Sequence, residues 1–274
     1  MSFTRIGSNL AAQQSFNALL SVNREIGKRL LRLSTGKRIN SVGDDAAGFA
    51  LARGLESRRR SLSQALENVG NAKNVLAIAE GGYLAIASLL QIIKEKTVQG
   101  ADDSFSAEQR VAIQGQIDAL VTEIDDIIDE TQYQGLRLID GTFTGKKFQT
   151  GAAAGDVFDV NLDTSANAAT LGVDALDVTS SSTASTAIAA VDSAITTLNS
   201  RAQQIGEFLI RLSSKEDTLA VAITNTEAAR SRIEDADFAR EQLDLVRFQI
   251  IQQTAFSSFA QANTAPQLVL SLFR

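Results

Sequence analysis

The sequence predicts a mostly α-helical protein, a long antiparallel coiled-coil rod with a small β region set between its helices. Pro266 is the single proline in 274 residues, so nearly the whole chain is free of helix breakers. Apolar residues recur at heptad spacing toward both ends of the chain. Glycine-punctuated, Phe- and Val-containing runs are confined to residues 136–178 between them.

The first long element is read from two interleaved series. One is Leu55, Leu62, Val69, Leu76, Tyr83 and Leu90; the other is Ala65, Ala72, Ala79, Ile86 and Ile93. Asp44 and Asp45 supply acidic caps before this seam and Gly100 follows it, which predicts one helix of about 55 residues, roughly 80 Å long. A second helix starts at Ser106, with Gln109 three positions on as its capping-box partner. It continues through Ile113, Ile117, Leu120, Ile124 and Ile127 and is expected to end near Gln134-Gly135. A third helix carries Ile188, Val191, Ile195, Leu198, Ala202, Ile205, Leu209, Leu212, Leu219 and Ile223, with its seam interrupted at Glu216. That helix is the partner the first one needs, since a rod cannot bury its own seam. Gly141, Gly145, Gly151 and Gly155 alternate with Phe143, Phe148, Val157, Phe158 and Val160, which suits short strands and turns. Residues 178–186 are polar and of low complexity, and are expected to form a flexible turn into the third helix.

The two chain ends are alike. Leu19, Val22, Ile26, Leu30 and Leu33 near the start, and Leu245, Phe248, Ile251, Ala255, Phe259 and Ala262 near the finish, each form an amphipathic stripe without a local partner. Their remaining faces carry uncharged Gln13, Gln14, Gln249, Gln252 and Gln253. The stripes are expected to pair with each other or with further copies of the chain.

Chemistry is constrained by what is missing. The chain has no His and no Cys, which removes the commonest general base, the thiolate nucleophile and the usual zinc ligands. No catalytic, cofactor-binding or metal-binding residue is therefore expected, and the chain is read as no enzyme. Ser34-Thr35-Gly36-Lys37-Arg38 lacks the Ser or Thr after Lys and the earlier Gly that a phosphate loop requires. Asp125, Asp126, Asp129 and Glu130 read as a solvated helix face, and Asp156, Asp159 and Asp163 as turn residues. Residues 1–60 carry 11 Lys/Arg against 4 Asp/Glu, whereas residues 101–180 carry 4 against 15. No aromatic residues interleave the basic ones and the net charge is −6, so no nucleic-acid partner is expected. No secretory leader, membrane span or Asn-x-Ser/Thr sequon is expected either.

Residues Arg32 to Asn40, running into Asp44-Asp45-Ala46-Ala47-Gly48, resemble the N-terminal signature of bacterial flagellins. Ser231 to Ala239, and Gln261-Ala262-Asn263 through Pro266 to Leu272, resemble the C-terminal signature. Thr131-Gln132-Tyr133-Gln134-Gly135 is similar to the family's turn after its second helix. Lys37 departs from the pattern, standing where the family usually has an apolar residue, and Gly43 lies beside the Asp pair.

The resemblance implies an inner terminal-helix layer, D0, and a helical layer, D1, with no outer D2 or D3 domain. On that reading residues 1–43 are the N-terminal D0 helix and linker, 44–135 the first D1 helices, 136–186 the D1 β region and polar turn, 187–234 the last D1 helix and 235–274 the C-terminal D0 helix. The assembly seams are then Leu19, Val22, Ile26, Leu30, Leu245, Phe248, Ile251 and Phe259. Arg38, Ile39, Asn40, Asp44, Asp45, Arg232, Asp235 and Asp237 form the signature linkers. The function implied is a subunit that self-assembles into an extracellular flagellar filament for swimming. Export unfolded through the flagellar type III apparatus is implied too, with an export chaperone, filament cap and hook-associated proteins as partners. The alternative within the same machinery is the hook–filament junction protein, which shares the terminal helices but forms a ring. An inserted metallopeptidase requires histidines that this chain lacks, and a generic coiled-coil adaptor would form an oligomer of fixed size. At the positions by which the animal toll-like receptor recognises flagellins, the resemblance places Ile92, Lys96 and Gln116 in place of arginine, leucine and glutamate, which implies weak recognition.

Overall fold

The computed structural model describes the backbone of residues 9–271 and side chains through residue 264. Helices α1 (Leu10–Thr35), α2 (Ala46–Ala101) and α3 (Ala107–Glu130) lead into strands β1 (Gln132–Tyr133), β2 (Leu136–Arg137), β3 (Phe143–Gln149) and β4 (Val157–Leu162). A short α4 (Ala168–Leu171) precedes α5 (Ser181–Glu234) and α6 (Phe238–Ser271). The described residues fall into two compact units, one built from both chain ends, up to Ser57 and from Asn225 onward, and one spanning Arg58–Thr224.

Local chemistry sets the element boundaries. Asp45 accepts the Gly48 N–H at 2.9 Å and so caps α2 as expected. Asp44 does not cap that helix: its Oδ2 accepts the Asn40 and Ser41 amides at 3.1 and 3.0 Å and closes the preceding turn. Ser106 and Gln109 form the expected capping box. α3 ends earlier than expected: Thr131 makes the last helical bond, to the Ile127 carbonyl at 2.9 Å, and its ψ of 83° turns the chain out of the helix into β1. Gln134 and Gly135 then adopt φ of 51° and 81°, the left-handed pair that closes a two-residue hairpin between β1 and β2. Residues 178–186 are likewise not a flexible turn, because Ser180 and Thr183 exchange side-chain and backbone hydrogen bonds at 3.2 Å and α5 starts at Ser181.

In the Arg58–Thr224 unit the heptad reading of α2 holds from Leu62 onward, whereas Leu55, the first residue of the expected seam, is only half-buried. Leu62, Ala65, Val69, Ala72, Leu76, Ala79, Tyr83, Ile86, Leu90 and Ile93 are all buried. α5 answers with Ala184, Val191, Leu198, Ile205, Leu212 and Leu219, an unbroken seven-residue repeat in the same hydrophobic cluster. Lys73 meets Glu216 at 2.7 Å and Lys94 meets Asp192 at 2.5 Å, which fixes the two helices as antiparallel. Glu216 interrupts the seam because it is the cross-helix partner of Lys73.

α3 contributes Ile113, Ile117, Ile124 and Ile128, with the expected Ile127 only half-buried. The β3–β4 hairpin buries Phe158, Val160 and Leu162 on one face, with a bulge between Phe143 and Lys146. A stretch of α2 is apolar enough to cross a membrane by length and composition, which the sequence reading did not anticipate. Its buried side chains, Tyr83 and Ile86 among them, belong to this core.

Long-range side-chain clamps hold the irregular segment to the helices. Gln114 donates to the Leu176 carbonyl at 2.7 Å and accepts the Val178 N–H at 2.8 Å, imitating a strand partner. Asp125 accepts the Ala168 N–H at 3.0 Å at the start of α4, and Asp129 pairs with Arg137 at 2.7 Å. The buried Arg110 donates to the Asp102 carbonyl at 2.8 Å and ties down the α2–α3 connection.

Gly81 and Gly82 on α2 make opposite predictions. A Cβ on Gly81 meets nothing within 4 Å, so Gly81→Ala is expected to stabilise by about 0.5–1 kcal/mol through helix propensity. A Cβ on Gly82 would lie 2.7 Å from Thr131 Oγ1 and 2.9 Å from Ile139 Cδ1, so Gly82→Ala is expected to cost roughly 1–3 kcal/mol by overpacking. Thermal unfolding followed by circular dichroism should show Tm shifts of opposite sign.

Candidate assembly site at the paired chain ends

α1 stops at Thr35 because Gly36 turns left-handed, with φ of 69°. The chain then runs as an extended segment beside the end of α5. Ala236 donates its N–H to Gly36 O at 2.9 Å, and Lys37 pairs with Asp235 as an antiparallel bridge. The Arg38 N–H donates to Glu234 O at 2.7 Å, and the Arg38 guanidinium donates to Ile233 O at 2.7 Å. These carbonyls belong to the last turn of α5, where no helical donor remains, so the N-terminal linker acts as a C-terminal cap supplied from the far end of the chain. Ile39 is buried beneath it. Asn40 Nδ2 donates back to Lys37 O at 2.8 Å, Lys28 meets Asp44 at 3.1 Å, and Asp237 accepts the Arg240 N–H at 3.2 Å to start α6. The two signature segments are thus brought together, with Arg232 on the exposed side.

Two buried carboxylates anchor the arrangement, each only 6% exposed. Glu234 receives Lys37 Nζ and Arg230 Nη1, both at 2.6 Å. Glu241 receives Arg29 Nη1 at 2.8 Å and Arg32 Nη1 at 3.0 Å, with Asp244 a second partner of Arg29. Burial alone would push both carboxyls up; the hydrogen bonds and charges of the flanking cations outweigh it and hold both below the ordinary glutamate range. Asp44 is held at about 2, because Lys28 and the Asn40 and Ser41 amides outweigh its burial. Lys37, the departure from the family signature, is therefore a ligand of Glu234.

Beyond Glu241, α1 and α6 pair antiparallel. The Arg29 guanidinium lies over the Phe248 ring at 5.8 Å, Gln252 donates to Asn23 Oδ1 at 2.6 Å, and Phe16 meets Phe259 with ring centroids 6.0 Å apart. Leu19, Val22 and Leu245 are buried in this pair, with Ile26, Phe248 and Phe259 half-buried. Leu30 and Ile251 do not lie in the seam: they are 51% and 36% exposed, because a single partner helix covers only one face. Leu20, Leu243, Val246, Ile250 and Phe256 are exposed as well, Leu243 to 73%, and Leu243, Val246 and Ile250 share one face of α6. In the other unit Ile92 and Gln116 are exposed and Lys96 is half-buried.

Sequence reasoning missed Glu234, Glu241, Arg29 and Arg32 as partners. The three-residue spacing of Arg29 and Arg32 places them on one helix face, but only the fold shows which carboxylate they share.

This geometry defines a helical protein whose two chain ends clamp together and present uncovered apolar helix faces. The sequence pattern of the bacterial flagellin N-terminal helical region matches residues 6–144, and that of the C-terminal helical region matches 188–273. The chain is 34% identical over 284 residues to the flagellar filament 33 kDa core protein of Treponema phagedenis, covering 98% of this chain and 99% of that one. It is 34% identical over 303 residues to a flagellin of Bacillus subtilis, covering 98% and 100%. The crystal structure of Bacillus cereus flagellin has the same fold, with a TM-score of 0.51 at 23% identity over 60% of this chain and 94% of that one. The chain belongs to the bacterial flagellin family of flagellar filament subunits.

The buried carboxylates predict acid lability of the paired ends. Groups whose folded pKa lies below the unfolded value add stability above the unfolded carboxylate range, near pH 4, and lose it as pH falls through the folded values. Helicity of the full chain followed from pH 7 to 2 should fall in this window. Glu241→Gln should already cost about 2–3 kcal/mol at neutral pH, because Arg32 loses its carboxylate and Arg29 keeps only the more distant Asp244 and Glu25, and should flatten the acid transition.

Proposed function

We propose that this flagellin is a non-enzymatic subunit that polymerises with copies of itself into an extracellular helical filament for swimming, the paired chain ends forming its inner layer. The observation that carries this reading is the apolar surface left uncovered on α1 and α6. Leu243, Val246 and Ile250, spaced by three and four residues, share one exposed face of α6, and burying it against the next copy supplies the polymerisation force. An interface between unlike surfaces that does not close on itself generates an open helix rather than a ring, and the match to both flagellin terminal patterns and to relatives named as filament core proteins favours a filament over the hook–filament junction role. The terminal helices would order fully only on assembly, since most helical stability in proteins comes from packing of an apolar face. Passage through the flagellar type III apparatus, with an export chaperone on the C-terminal helix and with cap and hook-associated proteins at the filament ends, fits this assembly route.

The test separates the uncovered face from the pair seam. Ile250→Asp and Leu243→Asp place a charge on the uncovered face and should abolish filaments in electron micrographs while leaving monomer helicity unchanged, because a buried unpaired charge costs several kcal/mol. Phe259→Asp, against Phe16, should lower helicity as well as block assembly. Normal filaments from Ile250→Asp would contradict the reading.

The exposed, uncharged Ile92 and Gln116 favour weak engagement of the animal flagellin receptor, since charge-assisted hydrogen bonds at those two positions are missing, and the half-buried Lys96 replaces an apolar contact with a charge. In a reporter-cell assay the monomer should stimulate less than Ile92→Arg/Gln116→Glu; equal responses would refute control by these positions.

A further inference from the structure

Pro266 stands inside α6, and a residue without an N–H leaves the carbonyl four positions earlier, that of Ala262, without its helical donor. At the other end of the chain, Asn9 precedes α1, where the first amides of the helix lack acceptors. One side chain fills both gaps. Asn9 Nδ2 donates to Ala262 O at 2.8 Å while Asn9 Oδ1 accepts the Ala12 N–H at 3.0 Å. An amide has the donor and the acceptor this requires; an ionised aspartate caps equally well but donates nothing.

The bond continues the order of cross-pairs already described. Positions 9, 16, 23 and 29 of the N-terminal segment meet 262, 259, 252 and 241 of α6, in antiparallel order. The charged pin at Glu241 lies about 20 residues, or roughly 30 Å of helix, from Asn9. Between the two, the buried Ala12, Leu19 and Val22 are joined by the Phe16–Phe259 ring contact and the Gln252–Asn23 hydrogen bond; the apolar contacts tolerate a one-turn slide, so the register rests on the polar pairs. A slide would carry the Ala262 carbonyl away from its donor and leave it unpaired.

We propose that Asn9 and the proline-opened carbonyl of Ala262 form a register lock for the terminal helix pair, with Asn9 as its positioning residue. The inference rests on the reading that this pair is the assembling element, because a slipped pair would offer the next copy a displaced apolar face. The lock concerns alignment within one chain, so it is measured separately from polymerisation.

The chain has no cysteine, so engineered thiols report alone. In filaments, and in the soluble full-length chain, disulfide formation in Asn23→Cys/Gln252→Cys reads the native register, and Asn23→Cys/Phe256→Cys and Asn23→Cys/Gln249→Cys read slides in either direction. The native cross-link should dominate. Asn9→Asp should shift the native-to-slipped ratio by about three- to tenfold, the effect of one lost part-buried hydrogen bond. In a Pro266→Ala background, which returns an N–H to Ala262, Asn9→Asp should have no effect. An unchanged ratio in Asn9→Asp would reduce Asn9 to a simple cap, and a full effect that persists in Pro266→Ala would show that the freed carbonyl is not its target; either result overturns the lock. Failure of every variant, parent included, to form filaments while the soluble cross-links follow the expected order would refute the assembly reading alone.

Discussion

Glu234 and Glu241 are buried as ions, and the arrangement of the chain ends follows from the need to keep them compensated. A buried carboxylate without a partner costs several kcal/mol, so each must hold its two cations. For Glu234 these are Lys37 and Arg230; for Glu241 they are Arg29 and Arg32. Each carboxylate therefore selects a position near the beginning of the chain, about 200 residues away in sequence, that no hydrophobic stripe could specify. The backbone exploits the proximity: Arg38 caps the carbonyls at the end of α5, and the extended segment after Gly36 pairs beside Asp235. Apolar burial supplies most of the stability, and the ions fix which residues meet.

The terminal helices are half-finished in the same sense. α1 and α6 cover each other on one side, where Leu19, Val22 and Leu245 pack, and leave the opposite side apolar and open. The Arg58–Thr224 unit shows the contrast, because α2, α5, α3 and the β hairpin together enclose one continuous core. The same composition of aliphatic residues thus gives a closed core in one unit and an open surface in the other. What differs is the number of helices available to cover each seam.

The heptads of α2 were legible residue by residue because a coiled-coil seam is a local, periodic property, and the capping box at Ser106 was legible because its partners are three residues apart. The start of α5 was not, since a run of Ser and Thr reads as a loop until the Ser180–Thr183 exchange shows it to be a cap. Leu30 and Ile251 were placed in the seam because periodicity gives a helix stripe without its width, and one partner helix covers less than the whole stripe. The signature residues were found by resemblance, whereas their chemistry became visible only with the fold. Lys37 looked like a departure from pattern until it met Glu234, and Arg38, an exposed residue, is a backbone cap through its guanidinium.

On the proposed assembly, the next subunit covers the apolar face that the α1–α6 pair leaves open. Hydroxyl-radical footprinting of monomer and filament measures that burial directly. Leu243, Val246, Ile250 and Phe256 should be readily oxidised in the monomer and protected in the filament, whereas the already buried Leu198 and Ile205 should remain unmodified in both. Filaments in which Leu243, Val246, Ile250 and Phe256 stay as reactive as in the monomer would contradict the account.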